Sequence, residues 1–350
     1  MLVNGLASLG ENSALFSSSK TLVEVGWASA KFDLTDANLD GRVDLLIVET
    51  NGNWPNDTHY DHPAHLYLNQ GAGSFVELPN CGITAANEMS NLTSWDLDND
   101  GDLDLINGSS DWRSVSNPHT YINDGSGHYT QKSSPVYATS SYYHHGITIF
   151  DADLDQDLDA VWTSLHNFSG LYPRMWRNEG NENFTDVTTD WQIGVAIPNF
   201  GNLGMWGTAT DLDGDGDQDL VFQLSNGWGS ERYRKVYKNQ AVESGRSWLR
   251  IRLVGSPSPR DGRGSRVVVR ANGKSLTQYV GHGVSDLDGT DLVFGLNNAS
   301  VIESIKVFWP AIAQRPASVT ELTNVSARQF LTITETPPLP VPFRDGGLLS

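Results

Sequence analysis

The nine residues DLDGDGDQD at 211–219 place an aspartate at every second position, and the pattern returns three more times. The other copies are DANLDGRVD at 36–44, DLDNDGDLD at 96–104 and DADLDQDLD at 151–159, with start-to-start spacings of 60, 55 and 60 residues. A recurrence at a fixed period constrains a chain strongly, because each copy has to be the same supersecondary unit packed against its neighbours. Each loop runs into an apolar segment: LLIVET, LINGSS, AVWTSL and LVFQLS. Further on, 65–78, 120–132 and 175–187 read as strand, Gly/Asn turn and strand, which is a hairpin signature. VYKNQ at 236–240 begins a fourth hairpin that runs into the next domain. ALFSSSKTLVEV at 14–25 looks like the same hairpin without its loop.

Each unit therefore offers about four short strands. Around an axis such units make a β-propeller, and in a line a solenoid. The expected class is all-β: a β-propeller-like array of four four-stranded repeats plus a small C-terminal β-domain.

Charge divides the chain. The net formal charge of −19 argues against nucleic acid as a partner. Residues 1–243 carry 11 basic and 34 acidic residues, a balance of −23, and 244–336 carry 11 and 7, a balance of +4. The shift marks a boundary near Ser244. The organisation read from this is an N-terminal arm over 1–13, the repeat array over 14–243, a β-domain over 244–335 and a Pro/Gly-containing tail over 336–350. Cys81 is the sole cysteine, so an intrachain disulfide is excluded and zinc motifs built on cysteine pairs are absent. No apolar run reaches membrane-spanning length, and the first twenty residues lack a basic start and a long apolar stretch, so no signal peptide is read there.

Crowded carboxylates repel one another unless a cation sits among them. In the fourth loop Asp211, Asp213, Asp215 and Asp219 can converge on one centre, joined by the carbonyl of Asp217, and glycine at the sixth position allows the sharp turn. The equivalent sets are Asp36, Asn38, Asp40, Arg42 and Asp44; Asp96, Asp98, Asp100, Asp102 and Asp104; and Asp151, Asp153, Asp155, Asp157 and Asp159. Arg42 is acceptable where only a backbone carbonyl is required, whereas Gln156 stands where glycine is expected. The loops at 96 and 211 fit the pattern best and the one at 151 least. Oxygen ligands without His or Cys select Ca²⁺, about four ions in all. A helix-flanked calcium loop is excluded, because the flanks are strands and the last acid is at position nine rather than twelve. The bland alternative for any one copy is a solvated acidic turn. Four ions would take the acidic region from −23 to −15. Each would stabilise the fold by about 2.7 kcal/mol at a hundredfold excess over its dissociation constant.

The loops, with the apolar strand and the YxNxGxGxF hairpin, resemble the FG-GAP/VCBS-type repeats of calcium-binding β-propellers over residues 14 to about 240. The next segment is similar to an ASPIC/UnbV domain through RDGRG, FGL and VFWP, as in cartilage-acidic-protein-like proteins. That resemblance implies a small all-β module, which the alternation in LRIRLV and RVVVR supports independently. The propeller resemblance implies about seven blades, within the four to eight that propellers have. Four repeats here mean either a closed four-bladed ring or an open array completed by another chain.

His59, His62 and His65 lie within seven residues beside Asp61, and a polar loop is the simpler reading than a metal or catalytic site. His144 and His145 read as strand residues, and DLDGTD at 286–291 as a turn. There is no Gly-x-Ser-x-Gly elbow. Seven Asn-x-Ser/Thr sequons, at Asn56, Asn91, Asn107, Asn167, Asn183, Asn298 and Asn324, suit a glycoprotein. The expectation is a secreted or cell-surface, non-enzymatic adhesion or recognition protein that presents loops to a protein or a glycan. A protomer of a fibre or surface layer, self-assembling through its terminal arms, is the alternative, and a calcium-dependent hydrolase or lyase the third.

Overall fold

The computed structural model describes residues 29–50, 64–83, 89–109, 119–133, 144–164, 171–180, 183–193, 195–196, 203–226, 232–281, 291–311 and 316–336. The hairpin at 14–25, His59, His62 and the tail from 337 lie outside them.

Among the described residues every regular element is a strand. Repeat one comprises β1 (Ser29–Thr35), β2 (Asp44–Thr50), β3 (Ala64–Gly71) and β4 (Ser74–Leu78), paired in that order. Repeat two has β5 (Met89–Trp95), β6 (Asp104–Ser109), β7 (His119–Asn123) and β8 (Tyr129–Ser133) in the same order. Repeat three pairs β9 (His144–Phe150), β10 (Asp159–Ser164), β12 (Arg174–Asn178) and β13 (Phe184–Asp186), beside a short ribbon of β11 (Leu171–Tyr172) and β14 (Val195–Ala196). Repeat four has three strands, β15 (Leu203–Thr210), β16 (Asp219–Asn226) and β17 (Arg232–Tyr237), because the chain then leaves for the C-terminal domain. Each aspartate loop joins the first two strands of its sheet. The register locks it there: Thr35 faces Asp44, Trp95 faces Asp104, Phe150 faces Asp159 and Thr210 faces Asp219.

The first strands lie side by side in the order β1, β5, β9, β15. Among the described residues no sheet pairing joins β15 back to β1. On β1, Phe32 and Leu34 are 66% and 57% exposed.

Apolar burial ties neighbours together rather than filling one centre. Leu46, Val48 and Leu66 of repeat one pack with Leu105, Tyr121 and Tyr129 of repeat two. Phe150, Val161 and Met175 of repeat three pack with Leu220 and Phe222 of repeat four. At about 1.5–3 kcal/mol per large side chain buried, these contacts make each repeat depend on the next.

The C-terminal domain has two sheets. One is β18 (Trp248–Val254) between β21 (Leu292–Gly295) and β24 (Gln329–Thr334), with β18 and β24 parallel. The other orders β20 (Lys274–Tyr279), β19 (Arg266–Ala271), β22 (Val301–Trp309) and β23 (Ser318–Ser326). Alternation decides the core: Leu249, Ile251 and Leu253 point inward against Val267, Val269, Phe294, Ile305 and Trp309. The same cluster continues into Trp95, Leu97, Ile147, Leu158 and Trp176 of repeats two and three, so the domain is packed onto the array.

Candidate metal centres

All four loops share one backbone design. Positions four and six have positive φ throughout: Leu39 and Gly41, Asn99 and Gly101, Leu154 and Gln156, Gly214 and Gly216. Gln156 therefore adopts the conformation that glycine supplies elsewhere, at φ 79°. The position-five carboxylate accepts the backbone N–H of position seven in each loop: Asp40 from Arg42 (2.8 Å), Asp100 from Asp102 (3.1 Å), Asp155 from Asp157 (3.0 Å) and Asp215 from Asp217 (3.2 Å). Position one closes the turn: Asp36, Asp96 and Asp151 accept the N–H of residues 41, 101 and 156, and Asp211 that of Gly214.

The ninth-position aspartates are braces. Both oxygens of Asp104 accept backbone N–H groups, from Leu97 at 2.9 Å and Asn123 at 2.9 Å. Asp44, Asp159 and Asp219 repeat the arrangement with Ala37 and Asn69, Ala152 and Asn178, and Leu212 and Asn239. The asparagine in each hairpin thus anchors it to its loop. Its amide also reaches further: Asn123 Nδ2 donates to the Ala37 carbonyl (2.9 Å) and Asn239 Nδ2 to the Ala152 carbonyl (2.8 Å), clipping adjacent repeats. The recurring Asn in LNQ, IND, RNE and KNQ was the readable sign of this.

Carboxylate oxygens of Asp96, Asp98 and Asp104, of Asp151, Asp153 and Asp159, and of Asp211, Asp213 and Asp215 come within 4.8 Å of one another in each trio. The fourth loop thus gathers positions one, three and five, where the second and third gather one, three and nine. In the first loop position three is Asn38, whose Oδ1 accepts the Asp40 N–H at 3.2 Å. Oxygens Asp36 Oδ1, Asp96 Oδ1, Asp102 Oδ1, Asp153 Oδ1 and Asp217 Oδ1 are buried without a hydrogen-bond partner. Unsatisfied buried acceptors of this kind are costly, and hard oxygen donors so clustered fit a Ca²⁺ ion.

The electrostatics agree. Burial pushes Asp36 up to about 6, Asp44, Asp96 and Asp102 to about 7, and Asp104 to about 9. Desolvation is the first cause each time, with neighbouring carboxylates adding to it. Desolvation likewise raises Asp155 and Asp217 to about 6, and Asp151 and Asp159 well above the ordinary range. A bound divalent cation would favour the ionised forms that burial disfavours. Asp213 goes the other way, lowered chiefly by its hydrogen bond to Lys238.

The position-seven side chains have roles beyond a backbone carbonyl. Asp157 is held between Asn99 of the second loop (3.0 Å) and Lys274 of the C-terminal domain. Asp217 Oδ2 accepts the Val242 N–H at 3.0 Å, pinning the connection between domains. Every loop in fact touches that domain. Ala311 donates to the Gly41 carbonyl (2.8 Å), Arg266 and Tyr279 to that of Gly101 (2.8 and 3.1 Å), Asn297 to that of Leu154 (2.7 Å), and Arg250 pairs with Asp211 (3.1 Å). No local pattern announced these contacts.

Elsewhere, His65 pairs with Glu77 at 2.7 Å across β3 and β4. His144 and His145 lie on β9, as the sequence suggested. Asp291 receives Arg250 and Arg252, while the rest of DLDGTD lies outside the described residues. No helix among the described residues is long and apolar enough to cross a membrane.

Comparison with known proteins agrees with these two parts. The profile for FG-GAP-like repeats matches residues 36–107 and 96–162, and that for ASPIC and UnbV matches 255–338. The fourth loop falls outside both. Cartilage acidic protein 1 of Mus musculus is 28% identical over 279 residues, covering 75% of this chain and 41% of that protein. The Homo sapiens protein of the same name is 28% identical over 262 residues, covering 71% and 37%. The chain thus spans about two fifths of the length of these relatives.

Proposed function

We propose that this chain of FG-GAP-like repeats capped by an ASPIC/UnbV domain is an extracellular, non-enzymatic scaffold stabilised by calcium, which presents inter-strand loops to a protein or glycan. The observation that carries the calcium part is the set of buried, unpartnered aspartate oxygens inside loops whose carboxylates already converge. Asp36 in the first loop, Asp96, Asp98 and Asp104 in the second, and Asp151, Asp153 and Asp159 in the third would hold the ions, and each ion would supply charge neutralisation and rigidity. Because the loops tie first and second strands together and also meet the C-terminal domain, one ion would stiffen a blade and its cap together. Millimolar extracellular calcium suits such module-type sites. The relatives' name, cartilage acidic protein 1, agrees with an acidic extracellular chain.

The test is thermal melting of the full chain with calcium and with EGTA at pH 7.5. A lower melting temperature under EGTA, restored by added calcium, is expected. An unchanged melt sinks the calcium reading. A second reading, a self-assembling protomer, is favoured by the exposed Phe32 and Leu34 on β1. A sedimentation series over concentration separates it from a monomeric scaffold.

A further inference from the structure

The fourth loop fits the calcium pattern as fully as any in sequence, yet all three of its converging carboxylates are already met by cations of the chain itself. The first loop has Arg42 on Asp40, and the third has Lys274 on Asp157. Lys238 Nζ lies 2.7 Å from Asp213 Oδ2 and 3.4 Å from Asp215 Oδ2, and Arg250 Nη1 lies 3.1 Å from Asp211 Oδ2. These three aspartates are the converging trio of that loop. Asp217 Oδ1, buried in the same loop, has no hydrogen-bond partner.

The position of Lys238 is set by the fold. It immediately precedes Asn239, whose N–H binds Asp219 at 2.8 Å and whose amide binds the Gln218 carbonyl at 3.1 Å. The residues in the same register are Leu68, Ile122 and Arg177. The first two carry no charge, and Arg177 donates to Glu179 while its charge also acts on Asp153 and Asp159 of the third loop. The fourth repeat therefore aims an ammonium at its loop where the first two repeats have an aliphatic side chain. An alternative place for that ammonium is at hand: Glu243 Oε1 lies 3.7 Å from Lys238 Nζ. Arg250, for its part, keeps Asp291 at 2.9 Å if it releases Asp211.

We propose that Lys238 is a tethered ammonium that competes with calcium for the fourth loop, so that this loop fills last and weakly, with Lys238 moving to Glu243 when the ion enters. The proposal rests on the calcium reading of the other loops. It reverses the ranking that the sequence suggests, because the pattern of acids says nothing of a cation that another strand brings in.

The experiment is calcium titration calorimetry on the chelator-treated full chain, comparing wild type with Lys238→Met and Lys238→Arg. Wild type is expected to show several tighter sites and one weak class. Lys238→Met should tighten that class about threefold, since an exposed competing ion pair is removed and the loop regains net negative charge. Lys238→Arg should stay close to wild type. Lys238 is half-exposed at its side chain, so neither change threatens folding. If Lys238→Met binds calcium with the wild-type stoichiometry and affinities, the competitor role is overturned while the calcium reading stands. If wild type and both variants bind none, both are overturned.

Discussion

The loops at 96–104 and 211–219 have nearly the same nine letters and the same backbone, but they are neutralised in different ways. In the second loop the cation of the C-terminal domain is placed on a carbonyl: Arg266 and Tyr279 donate to Gly101 O. From that domain the neutral Thr277 hydroxyl reaches the Asp96 carboxylate, and Asp96 and Asp102 each keep a buried oxygen without a partner. In the fourth loop the same domain approaches through the carboxylate, with Arg250 on Asp211, and Lys238 takes Asp213. A cation placed on a carbonyl complements the turn without using up a ligand oxygen. A cation placed on a carboxylate does use one. Two loops alike in sequence can therefore differ in affinity according to what the rest of the fold presents to them.

The largest contrast should appear at position nine. Asp104→Ala strands two buried donors, the N–H groups of Leu97 and Asn123. At about 1–3 kcal/mol per stranded donor, the loss should be about 2–6 kcal/mol in denaturant unfolding. Asp219→Ala strands the equivalent pair at Leu212 and Asn239, but those bonds are only partly buried and water can replace them. Its cost should be at most half as large. Equal losses would mean that the two loops are set in equivalent surroundings after all.

A smaller effect should follow pH. The folded pKa values of Asp96, Asp102 and Asp104 are raised from 3.8 to about 7, 7 and 9, first by desolvation. The calcium-free fold binds more protons than the unfolded chain, so this contribution to stability is fully present below about pH 4 and is lost as pH rises through 7 to 9. Calcium binds the ionised carboxylates and offsets that loss. EDTA should therefore lower the melting temperature more at pH 8 than at pH 5. Asp102→Asn should flatten this difference, whereas Asp213→Asn should leave it, because Lys238 already favours ionised Asp213. A drop at pH 5 as large as at pH 8 would break the comparison.

How much of this could be read from the letters depends on what is local. The hairpin at 65–78 reappears as β3 and β4, and the period of about 60 residues as three four-stranded sheets and one three-stranded sheet. Alternation and turn residues act over a few positions, so sequence carries them openly. The convergence of Asp96 with Asp104, or Asp151 with Asp159, spans one turn and was readable for the same reason. The contact of Arg266 with Gly101 spans 165 positions and has no local signature. Lys238 was visible as a basic residue beside a recurring Asn, but its target depends on how hairpin and loop meet in space. Likewise, the carboxylate of Asp217 is taken up by Val242 N–H, a bond set by where the chain leaves the array.

Backbone strain gives the smallest contrast. Position four is left-handed in both loops, as Asn99 at φ 61° and as Gly214 at φ 80°. A Cβ at Gly214 would meet nothing within 4 Å, so Gly214→Ala tests the backbone alone. It should cost about 1 kcal/mol, the usual penalty for holding an L-residue in that region. Gly214→Asn should cost less than half of that, since asparagine tolerates the conformation, as it does at 99. Neither change touches a carboxylate, so calcium titration should be unmoved in both. A cost for Gly214→Asn equal to that for Gly214→Ala would show that Asn99 is kept for its bond to Asp157 (3.0 Å) rather than for its backbone. The second loop would then owe its shape to its neighbour, and the fourth to its glycine.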